Sequence, residues 1–400
     1  MSSSPIGRSP DLLRLRNEGF NLEVRAGYLL VHEVPYATAQ STVARGTLAF
    51  QLDLTADIAV KPQNHTAYFI GACPCDAQGQ ALNAIINNSQ STTVNGITVN
   101  HYLSAKPRTP DGLYPDYYTK VTQYVAQIAG PAQALRPGMD AKGFRVVEAT
   151  VGESVFAYED TASTRAGIAL ATDRFKNQRI AIVGLGGTGA YVLDQVAKTP
   201  VSNIHLWDGD AQHQHNAFRS PGAMPVDALR ATPNKANYWA SVYGAMHRHI
   251  VPHAVMITAE NAQALREFDH VFLCVDRAEP RRLILEALAG SSATLIDVGI
   301  GMRMNSANAL VGQCRVSVVD PQRSAVAIAT LPMAGADDDN LYTTNIQVAD
   351  LNMINAGLAI HAWKTRLGFY ASMTQSHLTV FATSNSTMAT ATDEGNACAA

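Results

Sequence analysis

The chain has few charged residues and few cysteines for its length. Of its 400 residues, 16% are charged, whereas roughly 25% is typical of soluble proteins. The formal net charge is only −3, which excludes a global basic field for nucleic acid. Five cysteines in so long a chain argue against a disulfide framework.

Long apolar runs are also missing. No run reaches the roughly 18 residues that a membrane-spanning helix needs, and the N-terminus has no apolar core of a signal peptide. We therefore expect a cytoplasmic protein without a membrane or nucleic-acid partner. What the chain does have is 47% hydrophobic residues, which is enough for sizeable cores in two or three domains.

The chain divides into a β-rich beginning, a connector and an alternating part. Residues 1–150 combine β-branched, apolar stretches with a helical pattern at 117–130, which predicts a β-rich α+β domain. Residues 151–178 have near-helical spacing, which predicts a helical connector. Residues 179–384 alternate strand and helix patterns, and the Ser/Thr/Ala-rich residues 385–400 are predicted to form a flexible tail.

The alternation after Arg179 predicts an α/β fold. Apolar strands separated by helices are typical of a parallel sheet with helices on both faces. The predicted strands are 179–184, 203–208, 253–257, 270–276 and 293–299. The predicted helices are 188–198, 235–249, 262–268 and 280–290. After these we expect strands of mixed direction at 308–320, 323–330 and 377–384, and a long helix at 345–367.

A glycine-rich loop separates the first of these strands from the first helix. Gly184, Gly186 and Gly189 have the spacing G-x-G-x-x-G, with Gly187 between them. Such a loop lets the backbone approach a phosphate closely and directs helix N–H groups at it. Asp208 ends the next strand, where a carboxylate can accept hydrogen bonds from ribose hydroxyls. These features predict a nucleotide site that fits NAD and ATP equally well.

The residues that follow distinguish the two nucleotides. Asp210, Asn216 and Arg219 come next in the chain, Lys235 begins a helix, and Asp276 ends a later strand. Cations neutralise charge that develops on phosphoryl oxygens, and a carboxylate holds Mg²⁺. A nicotinamide-dependent oxidoreductase has no need of such a set, and the chain offers no convincing acid or base for hydride transfer. The sequence therefore favours ATP.

This set resembles the ThiF/MoeB family of adenylating enzymes, which includes the ubiquitin-activating (E1) enzymes. The family pattern is D-x-D, then N-x-x-R, a later lysine and a strand-end aspartate, and the chain matches it between about residues 160 and 370. The gap before the lysine is a few residues longer than usual. The resemblance implies a Rossmann-like, ThiF-type, mostly parallel sheet. It also implies adenylation by ATP, with Mg²⁺, of the C-terminal carboxylate of a ubiquitin-like β-grasp protein that ends in glycine.

The same resemblance implies a role for each matched residue. Asp208 would hold the ribose. Asn216, Arg219 and Lys235 would contact the phosphates. Asp276 would bind Mg²⁺, and the glycine loop would pack against the nucleotide. A general base is not needed for this reaction, since the attacking carboxylate is already ionised at neutral pH.

Family members are commonly homodimers in which an arginine of the partner subunit reaches the ATP. Arg165, which precedes the first strand of the alternating part, is the candidate for this role. Arg174 is its competitor, and an ordinary surface arginine is an equal alternative for each of them.

The chain departs from the family in its cysteines. Many relatives bind a structural zinc through two CxxC pairs, and this chain has none, so no zinc is expected. Many relatives also pass the acyl group to a cysteine, whose place here falls near Leu341. Three alternatives remain open. The reaction stops at the adenylate, or Cys314 accepts the acyl group, or the hydroxyl of Thr343 or Thr344 forms an oxyester with the help of an activating group.

Residues 1–150 contain no recognisable catalytic set. Their pairing with an activating domain resembles bacterial, operon-encoded ubiquitin-like conjugation systems. We expect an accessory domain that docks the ubiquitin-like protein, a conjugating enzyme or the second subunit. Apart from the oxidoreductase, a non-catalytic nucleotide-binding partner subunit also stays open. The joint presence of Asp208, Arg219, Lys235 and Asp276 argues against it.

Overall fold

The computed structural model describes residues 4–149, 152, 154–320, 331 and 346–392. Their contacts divide the chain into two units. The N-terminal unit comprises Met1–Thr150 and Glu159–Ala166, and the C-terminal unit comprises Val151–Tyr158 and Gly167–Ala400. Each unit has its own sheet and its own apolar core.

The N-terminal unit contains an antiparallel sheet of six strands in the order β1-β2-β3-β6-β10-β7. These strands are β1 (Asn21–Arg25), β2 (Tyr28–Ala37), β3 (Val43–Gln51), β6 (Thr66–Ile70), β7 (Ile86–Asn88) and β10 (His101–Ser104). Two short ribbons accompany the sheet. They are formed by β4 (Leu54–Thr55) with β5 (Ile58–Ala59), and by β8 (Thr92–Val94) with β9 (Ile97–Val99).

The main helix of the N-terminal unit covers the inner face of this sheet. The helices are α1 (Ser4–Arg8), α2 (Pro10–Asn17), α3 (Tyr117–Leu135) and α4 (Thr161–Arg165). Asp116 caps α3, since its side chain accepts a hydrogen bond from the backbone N–H of Thr119. Val121, Tyr124 and Ile128 form the apolar stripe that α3 buries in the core. The helix continues beyond the predicted end at residue 130 because Ala132 still packs inside the protein.

The C-terminal unit contains an eight-stranded sheet in the order β13-β12-β11-β14-β15-β16-β17-β18. Its strands are β11 (Arg179–Val183), β12 (Asn203–Trp207), β13 (Ile250–His253), β14 (His270–Leu273), β15 (Thr294–Met304), β16 (Leu310–Val319), β17 (Ser376–Ala382) and β18 (Thr387–Thr392). From β13 to β15 all neighbours are parallel, and from β15 to β18 they are antiparallel. The predicted mostly parallel sheet, followed by strands of mixed direction, is confirmed.

Helices cover both faces of this second sheet. The helices of this unit are α5 (Ala169–Thr172), α6 (Gly187–Val196), α7 (Gln214–Ala217), α8 (Val226–Arg230), α9 (Lys235–Gly244), α10 (Ala278–Leu288) and α11 (Ala349–Arg366), with 3₁₀ turns at Asp173–Phe175 and Ala262–Glu267. Successive residues of β11 point to opposite faces. Ile180 therefore joins the core under α6 and α11, and Ala181 joins the core under α10. Among the described residues, no helix is long and apolar enough to cross a membrane.

Three of the predicted elements are wrong in place or type. Residues 387–392, which lie in the predicted flexible tail, form β18 and pair with β17. The strand expected at 253–257 lies at Ile250–His253, because these residues pair with β12 and the chain then leaves the sheet. The helix expected at 262–268 is a 3₁₀ turn of six residues. The strand expected at 323–330 lies outside the described residues.

Candidate nucleotide site

A cavity of about 840 Å³ opens at the carboxyl ends of the parallel strands in the C-terminal unit. Ligands bind at this edge of open α/β sheets because the loops that follow neighbouring strands meet there. Most of the predicted nucleotide-binding residues line this cavity, namely Gly184, Gly186, Gly187, Asp208, Asp210, Arg219, Lys235 and Asp276. Gly189 and Asn216 are not among the lining residues.

The glycine loop connects β11 to the first turn of α6. Gly184 has φ +87°, a left-handed conformation that glycine adopts without steric cost. A Cβ atom on Gly187 would overlap the side-chain amide of Asn352. The loop therefore needs glycine at both positions. The first residues of α6, Gly187 and Thr188, line the cavity, and the N-terminus of a helix favours an anion.

A buried asparagine of α11 fixes the glycine loop from behind. The Asn352 side chain is fully buried, and its Oδ1 accepts a hydrogen bond of 2.8 Å from Thr188 Oγ1. Its Nδ2 donates to the backbone oxygen of Arg219 at 3.3 Å. Sequence reasoning missed this residue, although an asparagine on the apolar face of a predicted helix was a signal for it.

Asp208 is the carboxylate at the centre of the site. Its Oδ2 accepts a hydrogen bond of 2.7 Å from the backbone N–H of Leu185 in the glycine loop, and its Oδ1 accepts one of 2.9 Å from that of Asp210. Burial raises the pKa of Asp208, whereas Lys235 and the two N–H donors oppose that rise. The carboxylate keeps lone pairs for further donors such as ribose hydroxyls.

Lys235 is the first residue of α9, and Asn234 is its N-cap. The Asn234 side chain accepts from the backbone N–H of Asn237, and its Nδ2 donates to the backbone oxygen of Asp208 at 2.8 Å. The start of α9 is thereby held against the end of β12. Lys235 Nζ lies 2.8 Å from Asp210 Oδ2 and 3.9 Å from Asp208 Oδ1.

Arg219 is the second cation of the cavity. Its Nε is buried and has no hydrogen-bond partner within the described part of the chain. Burial lowers the pKa of Arg219, and the Asp276 carboxylate opposes that effect. A buried guanidinium nitrogen without a partner is costly. The half-buried guanidinium also lines the cavity, where its other N–H groups can donate to an anion.

Asn216 shapes the loop that carries Arg219. It is buried, and its Oδ1 accepts a hydrogen bond of 2.9 Å from the backbone N–H of His213, which completes a capping box at the start of α7. Its amide therefore holds the loop together, and phosphate contact by this side chain stays a prediction.

Asp276 follows β14, is exposed and lines the cavity. No group of three His, Cys, Asp or Glu residues that could hold a metal occurs among the described residues. Mg²⁺ in phosphate-transfer sites commonly needs only one or two carboxylates, because the phosphates of the substrate supply further oxygens. Asp276 fits this arrangement.

The other predicted candidates lie elsewhere. Arg165 is exposed at the end of α4 in the N-terminal unit, and Arg174 is exposed in a 3₁₀ turn of the C-terminal unit. Thr343 and Thr344 lie outside the described residues. Cys314 is buried on β16, where burial raises its pKa to about 11. Its thiol is thus protonated at neutral pH and unsuited to accept an acyl group.

One wall of the cavity was missed by sequence reasoning. Gly299 of β15, Arg315 of β16 and Arg281 of α10 line it, and the carboxylate of Asp297 lies behind them. A signal existed, since Asp297 interrupts an otherwise apolar strand. The partners of this aspartate depend on strand register, which the sequence did not reveal.

The fold and this site define a Rossmann-like α/β unit in which a glycine loop, cations and carboxylates surround one cavity. The model of the ThiF family matches residues 161–394. Since this is more than half of the chain, the protein belongs to the ThiF family. A second family model, described as a domain of unknown function (DUF6791), matches residues 10–161.

Comparison with solved structures found proteins of low sequence identity. PaaA is 16% identical with a TM-score of 0.43, and the match covers 56% of this chain and 75% of that chain. E. coli MccB solved with ATP is 15% identical with a TM-score of 0.45, covering 58% of this chain and 70% of that chain. E. coli MccB solved with MccA-N7isoASN is 16% identical with a TM-score of 0.45, covering 57% and 68%. Comparison with curated proteins found no match.

Proposed function

We propose that the C-terminal unit is an E1-like adenylyltransferase that activates the C-terminal carboxylate of a ubiquitin-like β-grasp protein with ATP. Membership of the ThiF family supports the adenylating activity and the use of ATP. One observation carries the proposal furthest. A carboxylate bonded to the glycine loop, a buried lysine, a half-buried arginine and a strand-end aspartate converge on one cavity. Asp276 would hold Mg²⁺, which would neutralise charge on the phosphates.

The reaction requires the protein mainly to position the reactants and to stabilise developing charge. An oxygen of the substrate carboxylate forms a bond to the α-phosphorus, and the bond from that phosphorus to the bridging oxygen of pyrophosphate breaks. Arg219 and Lys235 would stabilise the charge that develops on the phosphoryl oxygens. Asp208 would fix the ribose, and the N–H groups at the start of α6 would hold the phosphates in line.

ATP is favoured over NAD by the cations of the site. Lys235 is nearly buried, and the buried Arg219 Nε has no partner among the described residues. Both side chains line the cavity, where they can donate N–H groups to phosphate oxygens that gain charge during the reaction. Hydride transfer develops no such charge at the phosphates, so an oxidoreductase gains nothing from these residues.

The acceptor of the acyl group is a separate part of the proposal. Burial and a raised pKa disfavour Cys314, which leaves release of the adenylate or an oxyester on Thr343 or Thr344. Labelling of the Thr343→Ala and Thr344→Ala proteins tests the oxyester. A hydroxylamine-sensitive adduct that persists undiminished in both variants would rule these residues out.

The remaining assignments extend the proposal to the whole chain. We propose an accessory domain over residues 1–150, a connector over 151–178 and the adenylation domain over 179–384. The accessory domain would dock the ubiquitin-like protein, a conjugating enzyme or the second subunit of a homodimer. Arg165, exposed at the end of α4, is the arginine that we propose reaches the ATP of the partner subunit.

Calorimetric titration of the full chain with Mg·ATP and with NADH tests the proposed activity. We expect Mg·ATP to bind and NADH not to bind. Asp276→Ala should weaken Mg·ATP at least tenfold but change the affinity for ATP in EDTA much less. The metal contact is lost only in the first case, whereas the attraction between Asp276 and Arg219 is lost in both. Asp227→Ala removes an exposed carboxylate on α8 and should leave both affinities unchanged. If NADH binds and Mg·ATP does not, the proposed function is contradicted and redox chemistry is indicated instead.

A further inference from the structure

A buried cluster of two arginines and one aspartate lies in the cavity wall, apart from the residues assigned to the nucleotide. Asp297 on β15 is fully buried. Its Oδ1 accepts a hydrogen bond of 2.8 Å from Arg281 Nε of α10, and its Oδ2 accepts one from Arg315 Nη2 of β16. The proposed adenylation chemistry uses none of these three side chains.

Strand register sets the position of the Arg315 guanidinium. Arg315 lies opposite Gly299, and Asp297 lies opposite Ser317, so these four positions share one face of the β15–β16 pair. Arg315 also donates to Ser317 Oγ. A Cβ atom on Gly299 would come within 3.1 Å of Arg315 Nη2. The glycine therefore leaves the space that the guanidinium occupies at the cavity.

The cluster has a net positive charge and lies in a poorly solvated part of the cavity wall. Arg281 and Arg315 supply two positive charges and Asp297 supplies one negative charge. The other acceptors, the hydroxyl of Ser317 and the backbone oxygen of Val275, are neutral. The Arg315 side chain is only 14% exposed, and its exposure is to the cavity that it lines. Within the described ranges no second carboxylate is bonded to either arginine, and a partly desolvated cation in such a place is stabilised by an anionic ligand.

The position of Arg315 along the sheet edge indicates which anionic ligand binds there. The order β12-β11-β14-β15-β16 places Asp208, the glycine loop, Asp276 and Arg315 one after another. Four strand spacings, roughly 19 Å in all, separate the first from the last. The ribose and the phosphates are assigned to the first three positions. The anion at Arg315 is therefore a different group, which approaches the phosphates from the side opposite the ribose.

We infer that Arg315 binds the free C-terminal carboxylate of the protein substrate and positions it for attack on the α-phosphate. This inference rests on the proposed function. A guanidinium matches a carboxylate in shape and charge, and Asp297 and Ser317 fix it before the substrate arrives. Arg281 binds both Asp297 and the backbone of Val275, next to Asp276. It thereby links the carboxylate site to the loop assigned to Mg²⁺.

Binding measurements on the full chain separate the carboxylate from a phosphate. The protein is loaded with a non-hydrolysable ATP analogue and titrated with a peptide that ends in Gly-Gly, as the free acid and as the C-terminal amide. We expect the wild type to prefer the acid at least tenfold and Arg315→Gln to lose that preference. Its Mg·ATP affinity should stay within twofold of wild type. Arg315→Lys, which keeps the positive charge but not the paired N–H donors of the guanidinium, should retain part of the preference for the acid.

Two further variants keep the test independent of folding. Gly299→Ala keeps every charge but crowds the guanidinium, and it should reduce the preference for the acid. Arg303→Gln changes an exposed arginine on the same sheet and should keep the preference. A wild type that does not distinguish acid from amide overturns the inference. So does a tenfold loss of Mg·ATP affinity in Arg315→Gln, which would assign Arg315 to a phosphate.

The same measurements distinguish failure of this inference from failure of the proposed function. A wild type without affinity for Mg·ATP contradicts the proposed function. The acid-to-amide preference measured without nucleotide would then decide the role of Arg315 by itself, through its presence in the wild type and its loss in Arg315→Gln.

Discussion

The two units each bury a lysine, and they use the two amines differently. Lys120 on α3 of the N-terminal unit is fully buried, and its Nζ donates to the backbone oxygen and to Oδ1 of Asn64 at 2.9 and 3.0 Å. Lys235 of the C-terminal unit faces a cavity, and its nearest counter-ion, Asp210, has a side chain that is 55% exposed.

The difference separates a structural cation from a functional one. The hydrogen bonds of Lys120 go to a loop of its own unit, where burial lowers its pKa to about 8 and Asp53 opposes the shift. No ligand is needed to explain it. Lys235 can exchange its exposed carboxylate for a phosphate oxygen with little loss. A buried charge indicates a binding site only where its partner is replaceable and the space beside it is open.

Replacing each lysine by methionine gives the largest expected contrast. Lys235→Met should weaken Mg·ATP binding about 1,000-fold, since losing one partner of a desolvated charge pair costs about 3–5 kcal/mol. Lys120→Met should leave Mg·ATP affinity unchanged and alter only the stability of the N-terminal unit. Calorimetric titration measures the first effect, and hydrogen exchange resolved by peptide measures the second. Equal losses of affinity in the two variants would erase the distinction.

Acid should destabilise the C-terminal unit through His247. Burial lowers the pKa of this residue from 6.5 to about 4, despite a hydrogen bond to the backbone oxygen of Val201. Below pH 6.5 the unfolded chain therefore takes up a proton that the folded unit takes up only near pH 4. Stability should fall by about 3 kcal/mol across that interval.

The variant His247→Gln isolates this residue. It keeps a donor for Val201 but cannot titrate, so the acid-dependent loss should shrink by the same amount when hydrogen exchange is followed from pH 7 to pH 4. Burial also lowers the pKa of His270 to about 4. This residue should therefore still cause an acid-dependent loss of stability in the variant. An unchanged pH dependence in His247→Gln would contradict the assignment.

A pair of glycines in two helices should give a smaller contrast. Gly187→Ala drives a Cβ atom into Asn352 and should destabilise the C-terminal unit by about 1–3 kcal/mol. It should weaken Mg·ATP as well, because the glycine loop must move. Gly130→Ala in α3 meets no atom within 4 Å apart from its chain neighbours. Because the following Pro131 disfavours a Cβ on a helical residue, the gain in helix propensity should be offset and the stability of the N-terminal unit should change by less than about 1 kcal/mol. Thermal unfolding measures both changes in stability. A Gly187→Ala protein as stable as the wild type would contradict the close approach of Gly187 to Asn352.

The parts of the site that depend on local pattern could be predicted from the sequence. The glycine spacing, the strand-end position of Asp208 and the alternation of strands and helices sufficed to place that residue beside the glycine loop. The ThiF-type, mostly parallel sheet then followed from family resemblance. The hydrogen bond from Leu185 to Asp208 is the contact that such a prediction requires.

The parts that depend on long-range register could not be predicted. Asp297 meets Arg315 because β15 and β16 are antiparallel with Gly299 opposite the arginine, and no local pattern encodes that pairing. Asn352 reaches the glycine loop from a helix more than 150 residues away in the chain. The buried Lys120 was missed for the same reason, since its acceptor Asn64 lies in a distant loop.

The most direct test of the central claim is the identity of the bond in ATP that breaks. The protein is incubated with Mg·ATP labelled at the α-phosphate and with a panel of β-grasp proteins, each with and without its C-terminal glycine. The account predicts AMP or acyl-AMP together with pyrophosphate, formed only when the glycine is present. Formation of ADP and phosphate, or turnover that ignores the glycine, would contradict it.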